Sequence, residues 1–190
     1  MKNRRKIIIG IVALLAILAV GKLVTAWLAP ASIRRSAEVS ANEIALLDGD
    51  NISKYVVGGQ RPAGAILKCW VESYQNGIRG KDIVSLESPL GTDDLVLYSY
   101  IRVTAENREW ILRAGSEVSS GVYPLHYSEI TSGAGNASGP FMLNDDQIAE
   151  LSVEFFDDEP GEPVIGSRAL SEQSMRMDYA YVLKVKMETP

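Results

Sequence analysis

Residues 95–103 read LVLYSYIRV and residues 109–113 read EWILR. In the first run Leu95, Leu97, Ile101 and Val103 alternate with Val96, Tyr98, Tyr100 and Arg102. A period of two puts successive side chains on opposite faces, the pattern of a half-buried strand. The polar stretch Ala105 to Arg108 separates the runs, and together they predict a β-hairpin. Trp110 and Leu112 fall on one face of its second strand and Ile111 on the other. The pattern predicts that Trp110 packs in a core with Leu97, Tyr98 and Tyr100; the competing reading makes Trp110 an exposed, ligand-binding aromatic.

The same period recurs on both sides of this hairpin. Ala65, Leu67, Cys69 and Val71 alternate with Lys68, Trp70 and Glu72, and Asn76 with Gly77 marks a turn. Asp82 to Glu87 predicts a short strand that stops at Ser88, Pro89, Leu90 and Gly91. Leu151, Val153 and Phe155 predict a strand broken by the acidic run Asp157 to Pro163, and Asp178 to Met187 predicts a last one. The glycine-rich residues 131–140, TSGAGNASGP, read as a long exposed loop. Ser40 followed by Glu43 and then by Ile44 to Leu47 has capping-box spacing, so one short helix is predicted to end at Asp48 and Gly49. Ala31 to Asn42 reads as a polar tether. Many short strands with few helices predict a mainly β fold, a small barrel or sandwich.

Ahead of this domain, residues 7–29 read IIIGIVALLAILAVGKLVTAWLA, 23 residues with one charge, Lys22. A helix of that length reaches roughly 34 Å at about 1.5 Å per residue, enough for a hydrocarbon core of about 30 Å. Lys22 lies near enough to the end of the run to snorkel to the headgroups. Lys2, Arg4, Arg5 and Lys6 precede the run, and Arg34 and Arg35 follow it, so the N-terminus is predicted to be cytoplasmic and the rest extracytoplasmic. A cleaved secretory signal is the competing reading, with Ala29 and Ala31 as its small-residue site. The predicted organisation is a basic N-terminus at 1–6, a transmembrane helix at 7–29, a tether and short helix at 30–50, and an exported β domain at 51–190.

All 24 acidic residues lie beyond residue 29 with 14 of the 19 basic ones, leaving the exported part at 14 minus 24, or −10. That balance carries no nucleic-acid footprint. Cys69 is the sole cysteine, which excludes an internal disulfide and a thiolate zinc cluster.

Candidate chemistry is sparse, and no catalytic, cofactor-binding or metal-binding residue is assigned. His126 is the single histidine, and no Gly-x-Ser-x-Gly elbow accompanies it. Cys69 falls on the apolar face of its strand, where a thiol is ordinarily a core group. Asp48 to Asn51 resembles the start of a calcium loop, but Ser53 and Gly59 occupy the positions that need glycine and glutamate. Asp157, Asp158, Glu159 and Glu162 read as a solvated run with a weak calcium alternative. Gly133 to Gly135 lacks a phosphate loop's lysine. Asn51 and Asn136 head glycosylation sequons.

The order of several short motifs resembles the GIDE-type domain of membrane-bound ubiquitin ligases and of prokaryotic membrane proteins. The motifs are Ser88-Pro89-Leu90 before a strand with Tyr98 and Tyr100 to Arg102, Trp110 in the partner strand, Pro140-Phe141 with Leu143 and Asp145, and Arg168 and Glu172 before Tyr181-Val182-Leu183. They span about residues 64 to 184. Asp94-Leu95, Met177-Asp178 and the extra segment Gly121 to Gly139 depart from the pattern. The resemblance implies a membrane-tethered β domain, and the absence of a cysteine-rich RING implies that ubiquitin transfer is not its role. The function expected is non-enzymatic binding of a protein or envelope component, with residues 7–29 in the bilayer. Alternatives are an exported hydrolase with an unrecognised site and an accessory subunit of a membrane complex, for which the small residues Gly10, Ala13 and Ala16 offer a helix contact.

Overall fold

The computed structural model describes residues 29–36, 38–124, 131–136, 139–145, 147–157, 170, 172 and 177–190. In chain order the elements are β1 (Ser32–Arg35), α1 (Ala41–Leu47), β2 (Asp50–Gly58), β3 (Ile66–Gln75), β4 (Ile78–Pro89) and β5 (Leu95–Val103). There follow β6 (Asn107–Ala114), β7 (Glu117–Pro124), β8 (Thr131–Asn136), β9 (Phe141–Met142), β10 (Ala149–Asp157) and β11 (Tyr179–Glu188). Pairing is antiparallel throughout both sheets, one in the order β7-β6-β5-β2-β1-β9 and the other in the order β4-β3-β11-β10-β8. The fold is therefore mainly β with one short helix, two sheets packed face to face.

Local chemistry sets the elements. β5 and β6 form the expected hairpin, with Ile101 opposite Trp110 and Leu97 opposite Ala114. Asn76 and Gly77 both take positive φ, 47° and 76°, so the two-residue connection from β3 to β4 has the twist that antiparallel strands prefer. The Ser40 hydroxyl accepts from the Glu43 amide while the Glu43 carboxylate accepts from the Ser40 amide, and Asp48 closes α1 in the left-handed region.

The inner faces meet in one large cluster. Leu67, Cys69 and Val71 from β3 lie against Tyr55, Val57, Leu97 and Leu112, all fully buried. The outer face of the five-stranded sheet carries a second cluster of Tyr74, Val153, Phe155, Ala180 and Val182 under Leu170. On the outer face of the six-stranded sheet, Leu47 of α1 sits on Tyr100 and Ile111. Gly121 of β7 lies against the Ile83 carbonyl of β4, so closely that a Cβ there would collide with it. The two sheets are thus drawn together along the β4–β7 side.

Several expectations are corrected. Ala31 to Asn42 is not a continuous tether: β1 lies within it and buries Ile33 completely, because Ser32 to Arg35 pair with β2 residues Gly58 to Tyr55. Thr131 to Asn136 is not a loop; its six residues pair with Asp157 to Ser152 as an edge strand, Gly133 opposite Phe155 and Gly135 opposite Val153. The strand expected at Asp82 to Glu87 extends over twelve residues. Tyr98 and Tyr100 do not share a face with Trp110: they belong with α1, whereas Trp110 and Leu97 point into the sandwich. Leu151 also separates from Val153 and Phe155, because a bulge between Glu150 and Ser152 adds one residue to β10 and turns Leu151 inward. Residues 7–28 of the span predicted at 7–29 lie outside the described residues, among which no helix is long and apolar enough to cross a membrane.

Candidate functional site

Among the described residues, two hollows and two buried ionic clusters depart from plain apolar packing. The first hollow, about 190 Å³, lies between β2, β5 and β6 on one side and β10 on the other. Its polar lining is Ser53, Ser99, Ser152 and Glu154, with Trp110 beside them and Arg35 exposed at the rim. Two irregularities shape it. The bulge between Glu150 and Ser152 puts Ser152 inward beside Leu151, and the shift between Asp50 and Ser53, with Asn51 at φ 52°, lifts the start of β2. The Trp110 indole donates to the Ser99 hydroxyl at 2.8 Å.

Glu154 is 3% exposed, in the middle of β10. Arg108 of β6 and the phenol of Tyr123 of β7 each bond one of its two oxygens, so the carboxylate joins the two sheets. Burial pushes its pKa up against the opposing pull of Tyr123 and Arg108. The aromatic rings around it also cross the sandwich: Trp110 to Tyr123 at 6.3 Å between centroids, Tyr123 to Tyr181 at 4.3 Å, and Tyr181 to Phe156 at 6.3 Å. The Arg108 guanidinium stands 5.0 Å over the Phe156 ring.

A second ionic cluster occupies the outer face of the five-stranded sheet. Glu72, 6% exposed, accepts at Oε1 from Trp70 Nε1 at 2.9 Å and at Oε2 from the Tyr74 hydroxyl at 2.6 Å, and Lys184 Nζ lies 2.9 Å from the same Oε2. Lys184 also reaches Glu150 at 3.3 Å, and Arg79 reaches Glu72 at 3.1 Å. Burial alone raises the Glu72 pKa, but the hydrogen bonds from Trp70, Tyr74 and Lys184 outweigh it and bring the group down to about 2. Each of these donors holds the ionised form, which is the arrangement of a structural carboxylate rather than of a proton shuttle.

The second hollow, about 390 Å³, runs along α1 on the outer face of the six-stranded sheet. Leu46, Leu47, Leu95 and Val96 supply apolar surface, and Glu43, Asp94 and Arg113 supply charge. Leu46 is 78% exposed and Ile44 is half exposed. Glu43 is fixed by Lys54 at 2.6 Å and by the Tyr98 hydroxyl, which lower its pKa to about 2 with Lys54 foremost.

The sequence candidates are scattered. Cys69 is fully buried on the inner face of β3, and burial pushes its thiol far above the ordinary range. Asp48 caps α1, Asp50 begins β2 and Asn51 sits in the bulge, so these residues form a helix-to-strand corner. Gly133 and Gly135 lie in β8. His126, Asp158, Glu159, Glu162 and Arg168 lie outside the described residues. Among the described residues no three His, Cys, Asp or Glu side chains converge as a metal site. Sequence reasoning missed Glu72, Glu154 and Lys184. For Glu154 the signal was a charge directly before Phe155 and Phe156, whereas Glu72 and Lys184 sit on phases that read as solvent-facing.

No family model, no curated protein and no solved structure matches this chain.

Proposed function

We propose that this chain is a membrane-anchored, non-enzymatic β-sandwich that binds a protein partner on the face carrying α1, with residues 7–29 in the bilayer and the domain on the extracytoplasmic side. One observation carries this reading. A capped helix of seven residues seats Leu47 on the sheet and leaves Leu46 in water at the lip of the 390 Å³ hollow, with Ile44 exposed on the other flank of the helix. An exposed leucine at the lip of a concavity that Leu47, Leu95 and Val96 line and charge rims is what a docking surface presents. With −10 on the exported part, the fitting partner is a protein segment that brings apolar side chains and positive charge.

The GIDE-type resemblance belongs to the same proposal. Leu90 and Ser88 are buried at the end of β4 and Trp110 faces Ile101, roles compatible with family motifs that maintain a β domain. The inter-sheet cavity favours a second reading, an exported hydrolase, since it collects three serines and a buried carboxylate. Against that reading, both Glu154 oxygens are engaged by Arg108 and Tyr123, so the carboxylate is held as an ion-pair partner.

The binding reading is tested with a photoreactive amino acid at Leu46 of the full-length chain in intact cells, and at Lys81 as a control on β4. The expected result is a discrete cross-linked protein from position 46 that position 81 does not give. The same adducts from both positions, or from neither, would remove α1 as the binding face.

A further inference from the structure

The domain begins where the apolar segment ends. Ala29, the last residue of the 7–29 run, accepts at its carbonyl from the Gln60 amide at 2.7 Å, and Pro30 bridges to Gln60 in parallel. Ala31 is buried and its carbonyl accepts from the Leu143 amide at 2.8 Å, and β1 starts at the next residue. Gly59, at φ 89°, allows this strap to lie close; a Cβ there would collide with the Pro30 carbonyl. Arg61 then locks the corner, donating to the Gly59 carbonyl at 3.1 Å and to that of Thr92 at 3.3 Å. No slack remains between the apolar run and the sandwich.

The consequence is geometric. A free linker of n residues lets a domain stand off by up to about 3.3 Å times n, and here n is zero because Ala29 is already hydrogen-bonded to the domain. The described connections at this end of the sandwich are residues 59–65, 90–94, 115–116, 143–145 and 147–148. Their exposed side chains include Pro62, Ala63 and, at the strand ends, Ile66, Met142 and Ile148. The nearly buried guanidinium of Arg61 lies 3.9 Å from the exposed Asp94, whereas the exposed Asp93 and Asp145 form no ion pair among the described residues. Apolar side chains beside the unpaired carboxylates of Asp93 and Asp145 suit a neutral headgroup layer and are repelled by an anionic one.

We propose that this loop end of the sandwich rests directly on the headgroup surface of a zwitterionic bilayer, fixing the long axis of the strands away from the membrane. This rests on the anchor reading of residues 7–29. The rim of the inter-sheet cavity at Asn51 then stands away from the surface: Asn51 is seven residues along β2 from Gly58, about 23 Å at about 3.3 Å per residue.

The test uses the full-length chain in phosphatidylcholine vesicles, with an environment-sensitive fluorophore on Ala63→Cys or on Glu106→Cys at the opposite end. Cys69 is buried and escapes labelling. Lipid carrying a headgroup spin label is expected to quench position 63 at least threefold more than position 106, with no increase when phosphatidylserine is added. Equal quenching in protein that floats with the vesicles would overturn surface docking and leave the anchor standing. Protein that fails to float would overturn both. Stronger quenching in phosphatidylserine would overturn the neutral-surface assignment.

Discussion

Glu154 on β10 and Arg108 on β6 form an ion pair across the interior, each contributed by a different sheet. Removing one member of such a pair leaves a buried charge without its partner, at a cost of about 3 to 5 kcal/mol, whereas replacing both with apolar groups is often close to neutral. Arg108→Met alone is therefore expected to lower stability by that amount, and Arg108→Met with Glu154→Met to recover most of it. Denaturant unfolding of the two variants measures the difference, and equal losses would show that the pair does not join the sheets.

Trp110 supplies the next prediction. It is 3% exposed, reaches Tyr123 and bonds Ser99, so its truncation opens a cavity and strands a hydroxyl. Trp110→Ala is expected to cost about 3 to 5 kcal/mol, a large part of the roughly 5 to 15 kcal/mol that stabilises an ordinary domain. An unchanged unfolding midpoint would mean that the indole is not a core group.

Acid stability isolates Glu72. Its pKa in the folded chain, about 2, lies below the ordinary carboxylate value of 4.5, so the unfolded chain binds the proton more readily. The stabilisation from Glu72 is complete above about pH 4.5 and disappears as pH falls toward 2. Glu154, shifted upward, acts in the opposite sense, which is why the comparison must be made against Glu72→Gln in the same background. The stability gap between wild type and Glu72→Gln is expected to shrink across that window; a gap constant with pH would contradict the assignment.

Gly121 tests the β4–β7 seam. Any Cβ meets the Ile83 backbone, which cannot swing aside as a side chain can. Gly121→Ala is expected to destabilise by about 1 to 3 kcal/mol, and Gly121→Val by more. Thermal melts of both variants check the order, and a neutral Gly121→Val would place the strands farther apart.

The local signals were legible because each rests on a few adjacent residues. Ser40 with Glu43 announced α1, Asn76 with Gly77 announced the tight turn, and the alternation about Leu97 and Trp110 announced the central hairpin. Pairing partners were not, since nothing local marks Thr131 to Asn136 as the neighbour of β10; glycine-rich sequence reads as loop until a partner strand supplies its hydrogen bonds. Ser32 to Arg35 escaped for the same reason. The bulge that turns both Leu151 and Ser152 inward breaks the period on which face assignment depends, and it hid the serine-lined cavity. The α1 hollow was unreadable because it arises from where a seven-residue helix lands on a sheet.

The central claim is that this domain binds and does not catalyse. Its most direct test is a panel of ester, phosphate, peptide and glycoside substrates offered to the purified full-length chain, beside Ser99→Ala and Glu154→Gln variants whose folding has been checked by circular dichroism. The account predicts no turnover that differs between the wild type and either variant. Turnover by the wild type that a folded Ser99→Ala or Glu154→Gln abolishes would contradict it and make the inter-sheet cavity an active site.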